Sequence, residues 1–91
     1  MDALQADRLR GRLLALLIGL EDRLTAKDAT LIHEFIDAGE FGLSLEQVVD
    51  VLAETHREMT DRERAEMLAL VADMAMDDRV PRAMELCPRV T

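Results

Sequence analysis

Residues 25–56, TAKDATLIHEFIDAGEFGLSLEQVVDVLAETH, decide the fold of this 91-residue chain. Their apolar side chains recur three and four positions apart on both sides of a glycine-containing turn, which is the spacing of helices that bury one face. Thr25 followed by Asp28 is a start signal for a helix, and Gly39 can adopt the left-handed conformation that ends one. The stretch therefore predicts two helices joined by a tight turn.

The rest of the chain extends this helical pattern. We predict four helices. Ser44 as an N-cap with Gln47 marks the start of the third, and Thr60 with Glu63 marks the start of the fourth. Their predicted ranges are about 2–24, 26–38, 45–56 and 61–76. No strand-like alternation and no internal repeat is visible, and prolines interrupt the last segment. The sequence therefore predicts an all-α fold, a compact bundle of about four helices with short turns, as one domain over 1–91 with an irregular C-terminal tail over 77–91.

Each predicted helix has an apolar face that should turn inward. On the fourth helix a second apolar face, with Met67, Leu70, Val71 and Met74, suggests either a central position in the bundle or a contact for a partner. The predicted inward residues are Leu9, Leu13, Leu16, Leu17, Leu20 and Leu24 on the first helix, Ala29, Ile32, Phe35 and Ile36 on the second, Leu45, Val48, Val49 and Leu52 on the third, and Ala65, Leu68, Ala69 and Ala72 on the fourth.

Composition argues against several classes of function. The chain has 11 basic and 19 acidic residues, a net charge of −8, so it is not expected to bind nucleic acid by neutralising phosphates. Only 2% of the residues are aromatic, which leaves no stacking platform for single strands. The apolar run over 13–20 is far shorter than the roughly 20 residues that span a bilayer, so no membrane partner is expected.

The residue types that carry chemistry are sparse. His33 and His56 are the only histidines, and neither has a second ligand at metal-site spacing. The single cysteine, Cys87, has no histidine near it in sequence and is consistent with a reducing, cytoplasmic location. We therefore expect no enzymatic activity, no catalytic residue, no metal and no cofactor.

The negative charge is concentrated in the middle of the chain. Between Asp28 and His56 there are seven acidic residues and no lysine or arginine. Three of the acids, Glu46, Asp50 and Glu54, are four positions apart on one helix face, where like charges repel each other. Such a surface has two interpretations, a solvated face that aids solubility or a docking surface for a basic protein.

Residues 33–46, HEFIDAGEFGLSLE, resemble the small helical immunity proteins of bacterial polymorphic toxin systems, the MafI-type and related contact-dependent-inhibition immunity proteins. The shared pattern is an acidic residue and an aromatic, a Gly-Glu-aromatic-Gly turn, and then a helix that begins with a small residue, Leu and Glu. The likeness extends loosely over residues 28–76. It implies an antidote in the cytoplasm that binds a cognate toxin C-terminal domain and blocks its active site or substrate entry.

The resemblance and the charge distribution together give a candidate surface. Many such toxins are nucleases, whose basic clefts a carboxylate surface can occupy. The candidate partner-binding residues are Glu34, Asp37, Glu40, Glu46, Asp50 and Glu54.

Two alternative functions remain open at this stage. Acyl and peptidyl carrier proteins are also acidic four-helix domains, with a serine at the start of a helix that receives phosphopantetheine, and Ser44 opens such a helix here. Leu43 departs from that pattern, because it stands where an aspartate usually precedes the serine. A regulatory bundle that forms a homodimer through Met67, Leu70 and Met74 is the other alternative, although a homodimer is not predicted.

Overall fold

The computed structural model describes residues 1–90 and confirms the predicted all-α bundle. Within that range the only β-type pairing is an isolated bridge between Met59 and Arg89. The helices are α1 (Ala3–Leu20), α2 (Ala26–Asp37), α3 (Phe41–Glu54), α4 (Asp61–Asp73) and α5 (Arg79–Met84), and a single 3₁₀ turn, Glu21–Arg23, follows α1.

The first two helices begin where the sequence predicts, although α1 ends at Leu20 and not near residue 24. The Asp2 side chain caps α1 by accepting a hydrogen bond from the Gln5 backbone N–H at 2.7 Å. Thr25 caps α2 in the same way, accepting from the Asp28 N–H at 3.1 Å. Gly39 has a φ of 76° and closes α2, as predicted. The predicted core residues of α1, from Leu9 to Leu20, are buried, and so are Ile32 and Ile36 of α2.

The start of α3 corrects the prediction that Ser44 is an N-cap. The helix begins at Phe41, so that Ser44 lies inside its first turn, is fully buried and donates a hydrogen bond to the Phe41 carbonyl at 2.6 Å. The chain reverses at Gly39, and Phe41 goes straight into the core, where burying an aromatic ring is strongly favourable. The helix therefore starts earlier than its side-chain signal indicates.

The central helix is α3, whereas the sequence favoured the fourth helix. Eight residues of α3 are buried, over more than half of its circumference: Phe41, Ser44, Leu45, Val48, Val49, Val51, Leu52 and Ala53. The predicted inward face of α4 is also wrong, because Ala65, Leu68, Ala69 and Ala72 are exposed. The opposite face, with Met67, Leu70 and Val71, is buried instead. Larger apolar side chains remove more surface from water than alanines do, which explains why this face of α4 is the buried one.

The C-terminal tail over 77–91 was predicted to be irregular, and its described part is ordered and belongs to the core. Val80, Met84 and Cys87 are buried. Arg64 of α4 is also buried, and its guanidinium donates hydrogen bonds to the carbonyls of Met84, Cys87 and Pro88. A second connection joins Met59 to the tail, because its N–H donates to the Pro88 carbonyl at 2.9 Å.

One partly buried ion pair connects the 3₁₀ turn after α1 to the start of α4. Both terminal nitrogens of Arg23 lie 2.6 Å from the Glu63 carboxylate, which also completes the predicted capping box with Thr60. Burial acts to raise the pKa of Glu63, but hydrogen bonds from Arg23 and from the Thr60 backbone outweigh it and hold the pKa below its ordinary value. The charged form of Glu63 therefore stabilises the folded state.

Replacing Thr60 should destabilise the protein by loss of the helix cap. Thr60→Ala should lower the free energy of unfolding by about 0.5–2 kcal/mol, because the Glu63 N–H loses its acceptor. The control is Thr30→Ala, at an exposed position inside α2, which should change stability by less than about 0.5 kcal/mol. Urea unfolding followed by circular dichroism measures both. Equal losses in the two variants would contradict the capping role.

The Glu63 carboxylate should make stability depend on pH on the acidic side. A pKa lowered by folding stabilises above the unfolded value of about 4.3, and that stabilisation is lost as pH falls through the folded pKa. Glu63→Gln should therefore be less stable than the wild type at pH 7, by about 1–3 kcal/mol. The difference should narrow below about pH 4 in urea titrations across pH. A difference that is constant with pH would show that the charge of Glu63 is not what stabilises.

Candidate functional site

The six predicted acidic residues separate into two groups in the structure. Glu34, Asp37 and Glu40 lie at the turn between α2 and α3, and Glu46, Asp50 and Glu54 follow along the outer face of α3. At 1.5 Å per helical residue, Glu40 and Glu54 are about 21 Å apart along the axis of α3. The six therefore do not form a single compact patch, and each group has its own surroundings.

The three residues at the turn, which we name the acidic corner (Glu34, Asp37 and Glu40), are brought together by the end of α2. Glu34 and Asp37 are three positions apart, which makes them neighbours on the helix surface. The Glu40 N–H donates to the carbonyl of Phe35 at 2.8 Å, which folds the chain back against the last turn of the helix. All three side chains are exposed.

Two of the three carboxylates in the acidic corner, those of Glu34 and Asp37, oppose the dipole of α2. Carbonyl groups at a helix C-terminus carry partial negative charge, which disfavours carboxylates there by about 0.3–1 kcal/mol each. The last turn of α2 has no basic residue. Within residues 1–90, the only basic side chain in ion-pair range of the corner is His33, whose Nδ1 lies 3.2 Å from an oxygen of Asp37. Glu34 and Asp37 are therefore not placed where they would stabilise the fold, whereas Glu40 is the N-cap residue of α3, where the helix dipole favours a negative charge.

Exposed leucines adjoin the acidic corner. Leu31 lies one helical turn before Glu34, and Leu43 lies one turn after Glu40, and both side chains are exposed to solvent. Apolar side chains bordered by charge are typical of protein interfaces. Neither leucine was predicted as part of the surface: Leu31 was visible in the sequence as an apolar residue off the inward face of the second helix, whereas Leu43 lay before the predicted start of the third helix.

Glu46 and Asp50 are in a different electrostatic environment from the corner. Arg79 of α5 lies against them, with one nitrogen 2.6 Å from Glu46 and another 2.7 Å from Asp50. The hydrogen bond to Asp50 is the main reason why the pKa of Arg79 is raised. The sequence predicted an unrelieved row of negative charge here, because the nearest basic residues in sequence are distant. In the folded protein, the tail brings the positive charge of Arg79 to these two carboxylates.

Glu54, the last residue of α3, is exposed. Within residues 1–90 it makes no salt bridge. Like Glu34 and Asp37, it lies at the negative end of a helix dipole, but it is at the opposite end of α3 from Glu40. It therefore extends the negative surface without joining the corner.

The residues of the two alternative functions are buried, except Met74, which is partly buried. Ser44 is inaccessible, and its hydroxyl is engaged by the Phe41 carbonyl, so it is not presented for attachment of phosphopantetheine. Met67 and Leu70 are fully buried and offer no surface to a second copy. Cys87 is buried as well, and burial raises the pKa of its thiol, which disfavours the reactive thiolate.

The largest cavity described is a groove of about 690 Å³ between α1 and α4, away from the acidic corner. Its walls are Arg12, Ala15, Leu16 and Gly19 of α1 with Arg62, Glu63, Ala65 and Glu66 of α4. Arg12 crosses this seam, because it lies 2.9 Å from Glu66 and 2.6 Å from Asp73. In residues 1–90 no three histidine, cysteine or carboxylate side chains are grouped as a metal site requires.

None of the helices in the described part of the chain has the length and hydropathy needed to cross a bilayer. Comparisons with protein-family models, with curated proteins and with solved structures gave no match for this chain. Any assignment of function therefore depends on the chemistry of the surface itself.

Neutralising the acidic corner should stabilise the protein. In the double variant Glu34→Gln, Asp37→Asn, the free energy of unfolding should rise by about 0.3–1 kcal/mol for each carboxylate removed from the end of α2. The gain should shrink in high salt, which screens exposed charges. The control Glu58→Gln, at an exposed position between α3 and α4, should have a smaller effect. Urea unfolding at two salt concentrations measures this, and a loss of stability in the double variant would contradict the dipole argument.

Proposed function

We propose that this protein is a non-enzymatic immunity protein that neutralises a cognate bacterial toxin domain, a nuclease, by covering its active site or substrate cleft. The observation that carries the proposal is the acidic corner, with three exposed carboxylates, two of them at the negative end of α2, and no lysine or arginine paired with them in residues 1–90. A feature that works against stability is more readily explained by binding than by folding.

Charge complementarity gives the corner its inhibitory chemistry. A nuclease cleft is basic because it binds phosphates, and carboxylates held on a rigid helix end can occupy the same positions. Opposite potentials also accelerate the encounter between the two proteins. Speed is useful to an antidote, because a toxin that enters the cytoplasm must be bound before it reaches its substrate. The proposed location of both proteins is the cytoplasm.

The six carboxylates are expected to contribute unequally to toxin binding, because their surroundings differ. The acidic corner comes first, because no arginine competes with a partner for it. Exposed Leu31 and Leu43 can supply apolar contact beside it, which is where binding energy usually concentrates. Glu46 and Asp50 come second, because Arg79 already neutralises them in part. Glu54 contributes to long-range attraction.

The alternatives have less support. A carrier function needs an accessible serine, and Ser44 is fully buried. An oligomerising bundle that uses Met67, Leu70 and Met74 needs those side chains at the surface, but Met67 and Leu70 are in the core and Met74 is partly buried against it. Neither alternative explains why carboxylates gather at the end of α2.

The gene neighbourhood supplies the toxin to test: if a large secreted protein is encoded next to this chain, its C-terminal domain is the predicted partner. Glu34→Gln, Asp37→Asn, Glu40→Gln should slow association with that domain by at least about tenfold at low salt and flatten its salt dependence. The matched control Glu46→Gln, Asp50→Asn should have a smaller effect, because Arg79 shields those positions. Stopped-flow kinetics and rescue of cells that express the toxin domain provide the measurements.

Two results would overturn the proposal. One is that the wild-type protein neither binds the toxin domain nor protects cells. The other is that the corner variant, folded by circular dichroism, binds and protects as well as the wild type.

A further inference from the structure

One arginine of α5 bridges two carboxylates of α3. Glu46 and Asp50, which we name the α3 pair, are one helical turn apart on the outer face of the helix. Nη1 of Arg79 lies 2.6 Å from Glu46, and Nη2 of the same side chain lies 2.7 Å from Asp50. A guanidinium is a planar fork that presents several donors at fixed positions, whereas an ammonium presents a single nitrogen. The spacing of the α3 pair therefore matches the side chain of arginine.

The α3 pair is held in place by the core and does not need Arg79 for its position. Leu45 and Val49, which directly precede Glu46 and Asp50 in the chain, are fully buried. They fix the backbone at both positions, while the two carboxylates remain partly exposed. The same two carboxylates would therefore be presented to solvent if Arg79 turned away.

The Arg79 side chain contributes little to holding α5 on the bundle. Val80 and Met84 of α5 are buried, and they anchor the helix in the core. The Arg79 side chain is half exposed, and ion pairs between exposed side chains add little to stability. The guanidinium can therefore leave the α3 pair while the backbone of α5 stays in place.

Other carboxylates are close in sequence to a released Arg79. Asp77 and Asp78 directly precede it, and both are exposed. The Asp77 carboxylate already accepts a hydrogen bond from the Arg79 backbone N–H at 3.0 Å. The turn before α5 therefore remains a negative environment for the guanidinium, which lowers the cost of releasing it from α3.

We propose that Arg79 is an internal competitor on the acidic surface. It occupies the α3 pair in the free protein and gives way when an arginine of the partner takes its place. A partner that presents no arginine there leaves Arg79 seated and gains nothing from Glu46 and Asp50, so the exchange favours a partner with matching chemistry. The inference rests on the proposed function, because it describes how one half of that acidic surface is regulated.

The strength of the internal contact sets the size of the effect. The apparent affinity for a partner is reduced by the fraction of time for which the α3 pair is open. A contact between exposed charges that is closed about four-fifths of the time lowers that affinity about fivefold. Removing Arg79 should therefore strengthen binding of a guanidinium, although the substitution removes a favourable contact from the protein.

A titration of the full chain with a hexa-arginine peptide tests the competition without any toxin. At low salt, Arg79→Gln should bind the peptide about two- to fivefold more tightly than the wild type, with new amide shifts around Glu46 and Asp50 in NMR spectra. The matched control Arg82→Gln removes the same charge from the same helix. In residues 1–90 the only ion pair of Arg82 is a 3.7 Å contact with Asp78, so its effect should be smaller.

Two further comparisons separate exchange from a change in net charge. In a background with Glu46→Gln and Asp50→Asn, adding Arg79→Gln should bring no more gain than adding Arg82→Gln. A hexa-lysine peptide should gain less from Arg79→Gln than the arginine peptide does. Urea unfolding should place Arg79→Gln close to the wild type, because Val80 and Met84 keep α5 in place.

The outcomes distinguish this inference from the proposed function. Equal gains from Arg79→Gln and Arg82→Gln, or a gain that survives loss of the α3 pair, would overturn the inference. A toxin domain that binds the wild type and Arg79→Gln equally tightly would overturn it as well, and would leave the proposed function standing. If Arg79→Gln gains affinity for the peptide but no variant binds the toxin domain, the proposed function is wrong and the competition at the α3 pair stands.

Discussion

The buried guanidinium of Arg64 is the interaction on which the arrangement of this protein's surface depends. It is the one charged side chain that is buried in residues 1–90, and it faces backbone carbonyls rather than a carboxylate. Those carbonyls belong to the end of α5 and to the segment that follows it. Because a buried cation without acceptors is very costly, α4 and the tail can only be stable together.

This coupling decides which carboxylates remain available at the surface. With the tail held in place by Arg64, Arg79 lies against Glu46 and Asp50. The acidic corner is beyond its reach and keeps its charge. The division of the acidic surface into a neutralised part and a free part is therefore a consequence of tertiary structure, and the residues of α2 and α3 alone do not determine it.

The sequence predictions were correct where residues close in sequence determine the structure, and wrong where packing between distant residues determines it. The bounds of α2 and the caps at Thr25 and Thr60 were correct, because side chains within three residues determine them. The cap assigned to Ser44 failed, because burial of Phe41 outweighed a local signal. The prediction of the inward face of α4 was wrong for a similar reason. The helix has two apolar faces, and packing against the other helices determines which of them is buried. In the candidate site, the three corner residues were predicted from charge, whereas the cation beside Glu46 came from a helix that the sequence did not reveal.

The described part of the tail also has a consequence for the lifetime of the protein in a cell. A single proteolytic cut between Met84 and Pro88 would separate Arg64 from part of its set of acceptors, and would release the strand-like contact at Met59. The cation would then be left in an apolar interior with too few acceptors, so damage at the surface would spread inward to the core. Cleavage there is expected to destabilise the whole domain, and an unfolded chain is open to further proteolysis.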